Sequence, residues 1–272
     1  MPELAEVAIF AQDLDTWFFK QNRKVTAVRM PNRNDGGASV ISRKMLGPVK
    51  RLVGQRVSFS SQGKALLVSL NDNDQPILEI RLGMTGAFTL KPPAGKWKRH
   101  CFLELVTAKG CVYYIDHRRF GRFKEPVSNG PAMAIGGYCR KLGLWFIKKP
   151  IVPKISVRRS RICWLLAFGD KTGVGNYMAN EALGRAGLSP FIPMTGEQEA
   201  MALLVRCGTI AKESFALGGN SFGTGYFRLN GEEGEYSRKC LFYGQPNVPR
   251  KLVAGRPVFS LFLRGRSVTG NS

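Results

Sequence analysis

The feature that most limits what this chain can fold into is a switch in its hydrophobic pattern. After an opening helix, apolar residues come in short strand-like runs up to about residue 125; beyond residue 155 they recur at helical spacing. In the opening helix, residues 3–20, Leu4, Val7, Phe10, Leu14, Trp17 and Phe18 fall on a 3.6-residue period. The strand-like runs are Val25–Met30, Gln55–Ser60, Ala65–Leu70, Ile77–Leu82, Phe102–Val106 and Cys111–Ile115, rich in β-branched and aromatic residues and separated by turn formers. Pro126, Pro131, Gly136, Gly137, Pro150 and Pro153 then break the pattern and predict a linker. Helices follow over Ser160–Phe168, Tyr177–Arg185 and a third begun at Thr195, where Thr195 and Gln198 have capping-box spacing and Gly218-Gly219 makes a stop. Lys251–Ala254 and Pro257–Leu263 flank Gly255-Arg256 as a closing β-hairpin.

The order predicts an α+β chain: a helix on a two-layered β-sandwich, then a helical region ending in a hairpin. The expected divisions are 1–131, a linker over 132–155, 156–242 and 243–272.

Charge narrows the partner. Lys and Arg number 41 against 19 Asp and Glu, a formal net charge of +22. Such an excess repels itself unless a polyanion is a regular partner, so nucleic acid ranks first and a ribosomal role second. No strongly amphipathic basic helix points to a membrane surface, and no run has transmembrane length. The six cysteines are never closer than ten positions, which excludes zinc-ribbon spacing. Reduced thiols and the lack of an apolar signal region predict an intracellular protein, in cytoplasm or nucleoid, or in nucleus or organelle for a eukaryotic source.

The opening Met1-Pro2-Glu3-Leu4-Ala5-Glu6-Val7 carries the sharpest chemistry. With Met1 removed, Pro2 presents a secondary amine whose pKa, near 8, leaves it partly unprotonated at neutral pH. Such an amine attacks an aldehyde-like carbon and forms an iminium. Glu3 and Glu6 beside it supply carboxyls for proton transfer. The plainer alternative is helix-start chemistry, with proline at the first helical position and acids in the first turn.

The opening resembles that of the formamidopyrimidine-DNA glycosylase (Fpg/Nei) family, and the resemblance continues in order along the chain. Gly63-Lys64-Ala65-Leu66-Leu67 is similar to the family's lysine loop, and Leu82-Gly83-Met84-Thr85-Gly86 to its Leu-Gly-Met-Ser-Gly segment. Asp116-His117-Arg118-Arg119-Phe120-Gly121 resembles its Asp-Pro-Arg-Arg-Phe-Gly loop. Gly173-Val174-Gly175-Asn176-Tyr177, Asn180-Glu181-Ala182-Leu183 and Arg185-Ala186-Gly187-Leu188-Ser189-Pro190 resemble its helix-two-turn-helix element, and Tyr243-Gly244 the residues before its terminal finger.

The resemblance implies a bifunctional glycosylase and AP lyase of base excision repair. Its partner would be duplex DNA with oxidised bases or abasic sites, bound by a monomer. Pro2 would be the nucleophile, with Glu3, Lys64 and Arg256 completing the catalytic set. Met84, Arg118 and Phe120 would fill the hole left by the flipped nucleotide, offsetting part of the unstacking cost. Asn176, at the helix opening, would contact phosphate, as would Arg99 or His100; Glu6 is placed with these DNA-facing residues. The stretch Arg158, Arg159, Arg161 is expected along the DNA backbone.

The tail departs from the bacterial pattern of four zinc-binding cysteines. Arg250 stands where the first would be, and residues 243–272 contain neither Cys nor His. The resemblance there is to the zincless finger, so no zinc or other cofactor is expected. Ala5 and His117 replace family prolines, and the residues around Phe168-Gly169-Asp170-Lys171 are altered. The opening leans towards oxidised purines; oxidised pyrimidines, a non-catalytic damage sensor and a ribosomal RNA-binding protein are the alternatives. Gly223–Ser237 is the expected lesion-facing loop.

Overall fold

The computed structural model describes residues 2–32, 40–71, 73–126, 133–155, 158–220 and 228–264. Helix α1 (Leu4–Asp15) continues into a π-helical turn at Thr16–Lys20. It is apolar nearly all round because it is covered nearly all round: it packs on the sandwich on one side and on the helical region on the other. Pro2 precedes the N-cap Glu3, so it is not the first helical residue that its type suggested.

The strands build two four-stranded sheets. Strand β1 (Val25–Arg29) is followed by a short helix α2 (Leu46–Lys50), β2 (Val57–Gln62), β3 (Ala65–Leu70) and β4 (Pro76–Arg81). Next come β5 (Ala87–Thr89), β6 (Cys101–Thr107), β7 (Gly110–Ile115) and β8 (Arg122–Lys124). One sheet runs β1-β6-β7-β5, the other β2-β3-β4-β8. The six expected strands are present; β5 and β8, three residues each, are too short to show a period. Strand β3 is buried on both faces, since α1 covers the side turned away from the sandwich core. Phe18 against Phe59 and Phe10 against Phe88, with ring centroids 5.6 and 6.1 Å apart, tie α1 to the core. Each such buried ring contributes about 1.5–3 kcal/mol.

Within the stretch expected as a linker, residues 136–147 form regular structure. Strands β9 (Gly136–Cys139) and β10 (Leu144–Ile147) form an antiparallel hairpin with Tyr138 opposite Trp145. Tyr138 N donates to Ser61 Oγ at 2.9 Å and Trp145 packs 5.3 Å from Phe215, so the hairpin is clamped between β2 and the helical region.

Helices α3 (Arg161–Ala167), α4 (Gly169–Thr172), α5 (Asn176–Arg185) and α6 (Glu197–Ala216) follow. Thr195 does not cap α6, whose N-cap is Gly196 without a side-chain capping bond; its N and Oγ1 donate instead to the Glu199 carboxylate at 2.7 and 2.9 Å. Gly218 and Gly219, at φ 74° and 92°, end the helix. The closing hairpin is β11 (Arg250–Val253) with β12 (Arg256–Phe259). Its turn is Ala254-Gly255, both at positive φ, and Arg256 opens the returning strand opposite Val253, one place beyond the expected turn position. All six cysteines are free, and Cys101, Cys207 and Cys240 are buried. Among the described residues no helix is long and apolar enough to cross a membrane.

Candidate active site

Three distant stretches of chain meet at one buried corner. Leu4 N donates to the Gly173 carbonyl at 3.2 Å, which sets the start of α1 against the glycine turn before α5. Lys64, on the turn between β2 and β3, donates from Nζ to the Val174 carbonyl at 3.0 Å. The Glu3 carboxylate accepts from the Tyr177 and Met178 amides at 3.1 and 3.4 Å. Those amides open α5, lack acceptors within the helix and carry the positive end of its dipole. Gly175 is required here, because a Cβ would fall 2.1 Å from the Glu3 carboxyl carbon. The glycine turn thus receives an anion from the chain itself, the Glu3 carboxylate. Pro2, itself buried, lies next to that carboxylate in the chain.

Burial shapes the charges. Dehydration and the nearby Glu6 raise the Glu3 carboxyl from 4.5 to about 7, against the downward pull of the Lys64 cation. Dehydration lowers the Lys64 pKa; Glu3 and Asp170 oppose this, while Arg256 and Arg81 add to it. Arg256, exposed on β12, is therefore close enough for its charge to act on Lys64. A carboxyl titrating near neutrality, beside a dehydrated ammonium, can both deliver and accept a proton.

Glu6 is not on a DNA-facing surface. It is 2% exposed, and its carboxylate accepts from Glu3 N at 2.9 Å, Tyr177 Oη at 3.2 Å, Ser214 Oγ at 3.3 Å and Asn220 N at 3.0 Å. It ties α1 to α5 and to the end of α6. Asn176 is the first helical residue, not the N-cap, and its Nδ2 donates to the Pro257 carbonyl at 2.9 Å. Arg161 is also internal: it is 5% exposed, ion-paired to Glu199 at 2.6 Å and bonded to the Ser189 carbonyl, whereas Arg158 and Arg159 are exposed.

The hole-filling candidates are placed as a surface wedge. Met84 is 38% and Phe120 48% exposed, and the Arg118 guanidinium lies 4.8 Å over the Phe120 ring. Buried Asp116 couples the two loops, accepting from Thr85 Oγ1 at 2.5 Å and Gly121 N at 2.7 Å; Thr85 Oγ1 in turn accepts from Arg118 N. Asp116 belongs to the quoted loop motif, yet only its burial marks it as the loop's anchor. Arg99 and His100 lie together in the 3-10 turn Gly95–His100, with Arg99 Nε donating to His100 Nε2 at 3.2 Å. Of Gly223–Ser237, residues 223–227 lie outside those described; Arg228, at its start, pairs with Asp13 at 2.7 Å.

The comparisons with known proteins agree with this geometry. The formamidopyrimidine-DNA glycosylase N-terminal domain matches residues 1–123. The formamidopyrimidine-DNA glycosylase of Salinispora arenicola is 31% identical over 277 residues, 95% of this chain and 90% of its own length. That of Thermus thermophilus is 30% identical over 287 residues, 98% and 95% of the two lengths. This chain belongs to the formamidopyrimidine-DNA glycosylase family. The crystal structure of the MutM (Fpg) protein from Thermus thermophilus matches with a TM-score of 0.69 at 26% identity, covering 96% of this chain and 97% of that one. A complex between a Lactococcus lactis FPG mutant and a Fapy-dG containing DNA shares the fold, with a TM-score of 0.71 at 22% identity over 95% and 97% of the chains.

The closing hairpin is held by contacts from the helical region. The hairpin offers no Cys or His, so its side chains do not fit a zinc ion, and helix α5 supplies the attachment. Glu181, 0% exposed, accepts from the Leu241, Phe242 and Tyr243 amides at 3.1, 2.7 and 2.8 Å. Asn180 Oδ1 accepts from Phe259 N at 2.7 Å, and the Tyr243 ring packs 5.0 Å from Phe259. Buried Val258 fills the space beneath. Sequence reading places Asn180 and Glu181 in the helix-two-turn-helix resemblance but gives them no part in holding the hairpin.

Proposed function

We propose that this glycosylase of base excision repair is bifunctional, removing oxidised bases through a Schiff base on Pro2 and then nicking the strand. The observation that carries the reading is the buried Glu3 carboxyl, raised to about 7, adjacent to Pro2, held by the amides that open α5 and within reach of the Lys64 charge. Once Met1 is removed, the Pro2 nitrogen attacks C1′ of the flipped nucleotide. Glu3 protonates the ring oxygen, the sugar opens and the base departs. The resulting iminium acidifies the C2′ proton; its removal expels the 3′ phosphate by β-elimination, and δ-elimination then releases the 5′ phosphate. Lys64 supplies positive charge at the departing base, and Arg256 grips the flanking phosphates. Met84, Arg118 and Phe120 enter the vacated stack, with Arg99 and His100 on the backbone. The protein acts inside the cell as a monomer, and its chemistry uses the terminal amine and side chains, without zinc.

Borohydride trapping on DNA with 8-oxoguanine or an abasic site tests the mechanism. A covalent adduct is expected from the Met1-processed protein and none when an N-terminal extension blocks Pro2. Binding of that DNA without an adduct would overturn the reading and leave a damage sensor. Excision across a panel of oxidised purines and pyrimidines fixes the substrate, with purines expected to lead.

A further inference from the structure

Outside the catalytic corner, one cavity stands beside the wedge. It measures about 510 Å³ and is walled by Ala87, Pro92, Pro93, Trp97, Ile115 and His117, with Thr85 at its edge. That is within the size range of small-molecule sites. Thr85 neighbours Met84, and His117 neighbours Arg118, so the cavity wall and the wedge share the same two loops. The hydrogen bonds from Thr85 to Asp116 and from Arg118 to Thr85 lock those loops together.

Trp97 is 44% exposed, yet its indole is fixed by edge contacts with His100 at 6.0 Å and His117 at 5.8 Å. The surroundings are cationic. Residues 82–103 contain no Asp or Glu, while Lys91, Lys96, Lys98, Arg99 and Arg118 are all exposed. A rigid half-exposed indole over an apolar floor with a cationic rim suits a planar ring carried on a phosphate backbone.

We propose that this cavity is a second base-binding site, which takes a nucleobase of the undamaged strand stacked on Trp97. The inference rests on the glycosylase reading above, because the wedge has work to do only where a nucleotide has been extruded. Filling the stack from the damaged side leaves the opposite base without its partner, and the cavity beside the wedge receives that base or its neighbour. Recognition is by stacking and charge, so all four bases are accepted and purines are held best.

The test removes each partner in turn. Damaged duplexes are prepared with either a base or an abasic spacer in the undamaged strand, opposite the lesion and at each flanking position. Wild-type protein, Trp97→Phe and Trp97→Ala are titrated against each by fluorescence anisotropy. Trp97→Ala should weaken binding about tenfold, the scale of one base–aromatic stack, and Trp97→Phe far less. One spacer position should cost the wild type a similar factor and cost Trp97→Ala nothing further. 5-Iodouracil at that position should photocrosslink to Trp97. Strictly additive losses, or crosslinks to Trp97 from the damaged strand alone, would overturn the proposal. So would a change of oligomeric state in Trp97→Ala with unchanged DNA affinity, which would mark the cavity as a contact between copies. Should Trp97→Ala fold poorly, the spacer series and the crosslink on wild-type protein still decide. Borohydride trapping on the same duplexes separates the two readings: failure to trap sinks the Pro2 chemistry and leaves the binding cycle interpretable.

Discussion

The catalytic corner and the wedge are opposites in their relation to water. Glu3 and Lys64 are 3% and 8% exposed, whereas Met84 and Phe120 are 38% and 48% exposed. The corner needs dehydration, since only that brings a carboxyl up to about 7 and an ammonium down. The role proposed for the wedge needs exposure, since a side chain already packed in a core cannot enter a base stack. The two regions should therefore answer substitution differently: changes in the corner alter chemistry and folding together, and changes in the wedge alter DNA binding alone.

Glu3→Gln gives the largest effect. Single-turnover base excision should fall about 10²–10⁴-fold, the usual contribution of a positioned proton donor. Stability should move the other way, with a definite sign. A carboxyl whose folded-state pKa is raised favours folding fully below about pH 4.5, and that advantage is lost as pH climbs through about 7. The glutamine never ionises, so at pH 8 the variant should be more stable by on the order of 3 kcal/mol and at pH 4 by none. Urea melts at the two pH values check this; an equal gain at both would break the burial account.

Glu181→Ala comes next. It strips acceptors from three backbone amides and leaves Arg185 without its buried partner, costing roughly 3 kcal/mol. Thermal melting should show the loss, and excision should fall with it as the hairpin carrying Arg256 detaches. Phe120→Ala should leave the melt unchanged while weakening binding to damaged duplex about tenfold, one stacking contact's share. A lowered melting temperature would show the wedge to be part of the core after all. Smallest is Arg158→Gln, which should reduce the slope of log affinity against log salt by about 1 without touching stability. Arg161→Gln, at the buried Glu199 pair, should instead destabilise the protein.

Much of this was readable in the sequence, for identifiable reasons. The strands and helices carry long apolar periods, and the corner's members come in motifs that keep their order. What escaped reading depends on neighbours distant in the chain. Gly136-Gly137 looks like a break, yet a Cβ on Gly137 would sit 2.0 Å from the Ser61 carbonyl oxygen. The glycine lets the hairpin lie directly on β2, so a packing signal passed for a linker signal. Glu6 and Arg161 have the residue types of DNA-facing groups, and only the fold shows their partners to be internal. Asn180 and Glu181 have the opposite problem: they stand in a quoted motif, but nothing in it announces the amides they hold.

The hydrogen bonds of the corner span great lengths of chain: Glu3 reaches 174 residues to Tyr177, and Glu6 reaches 214 to Asn220. On the ribosome, the residues that would cut DNA emerge long before the helix end that holds Glu3 in place. The raised carboxyl is therefore a property of the completed fold: it exists only once the last helices have closed over the first turn.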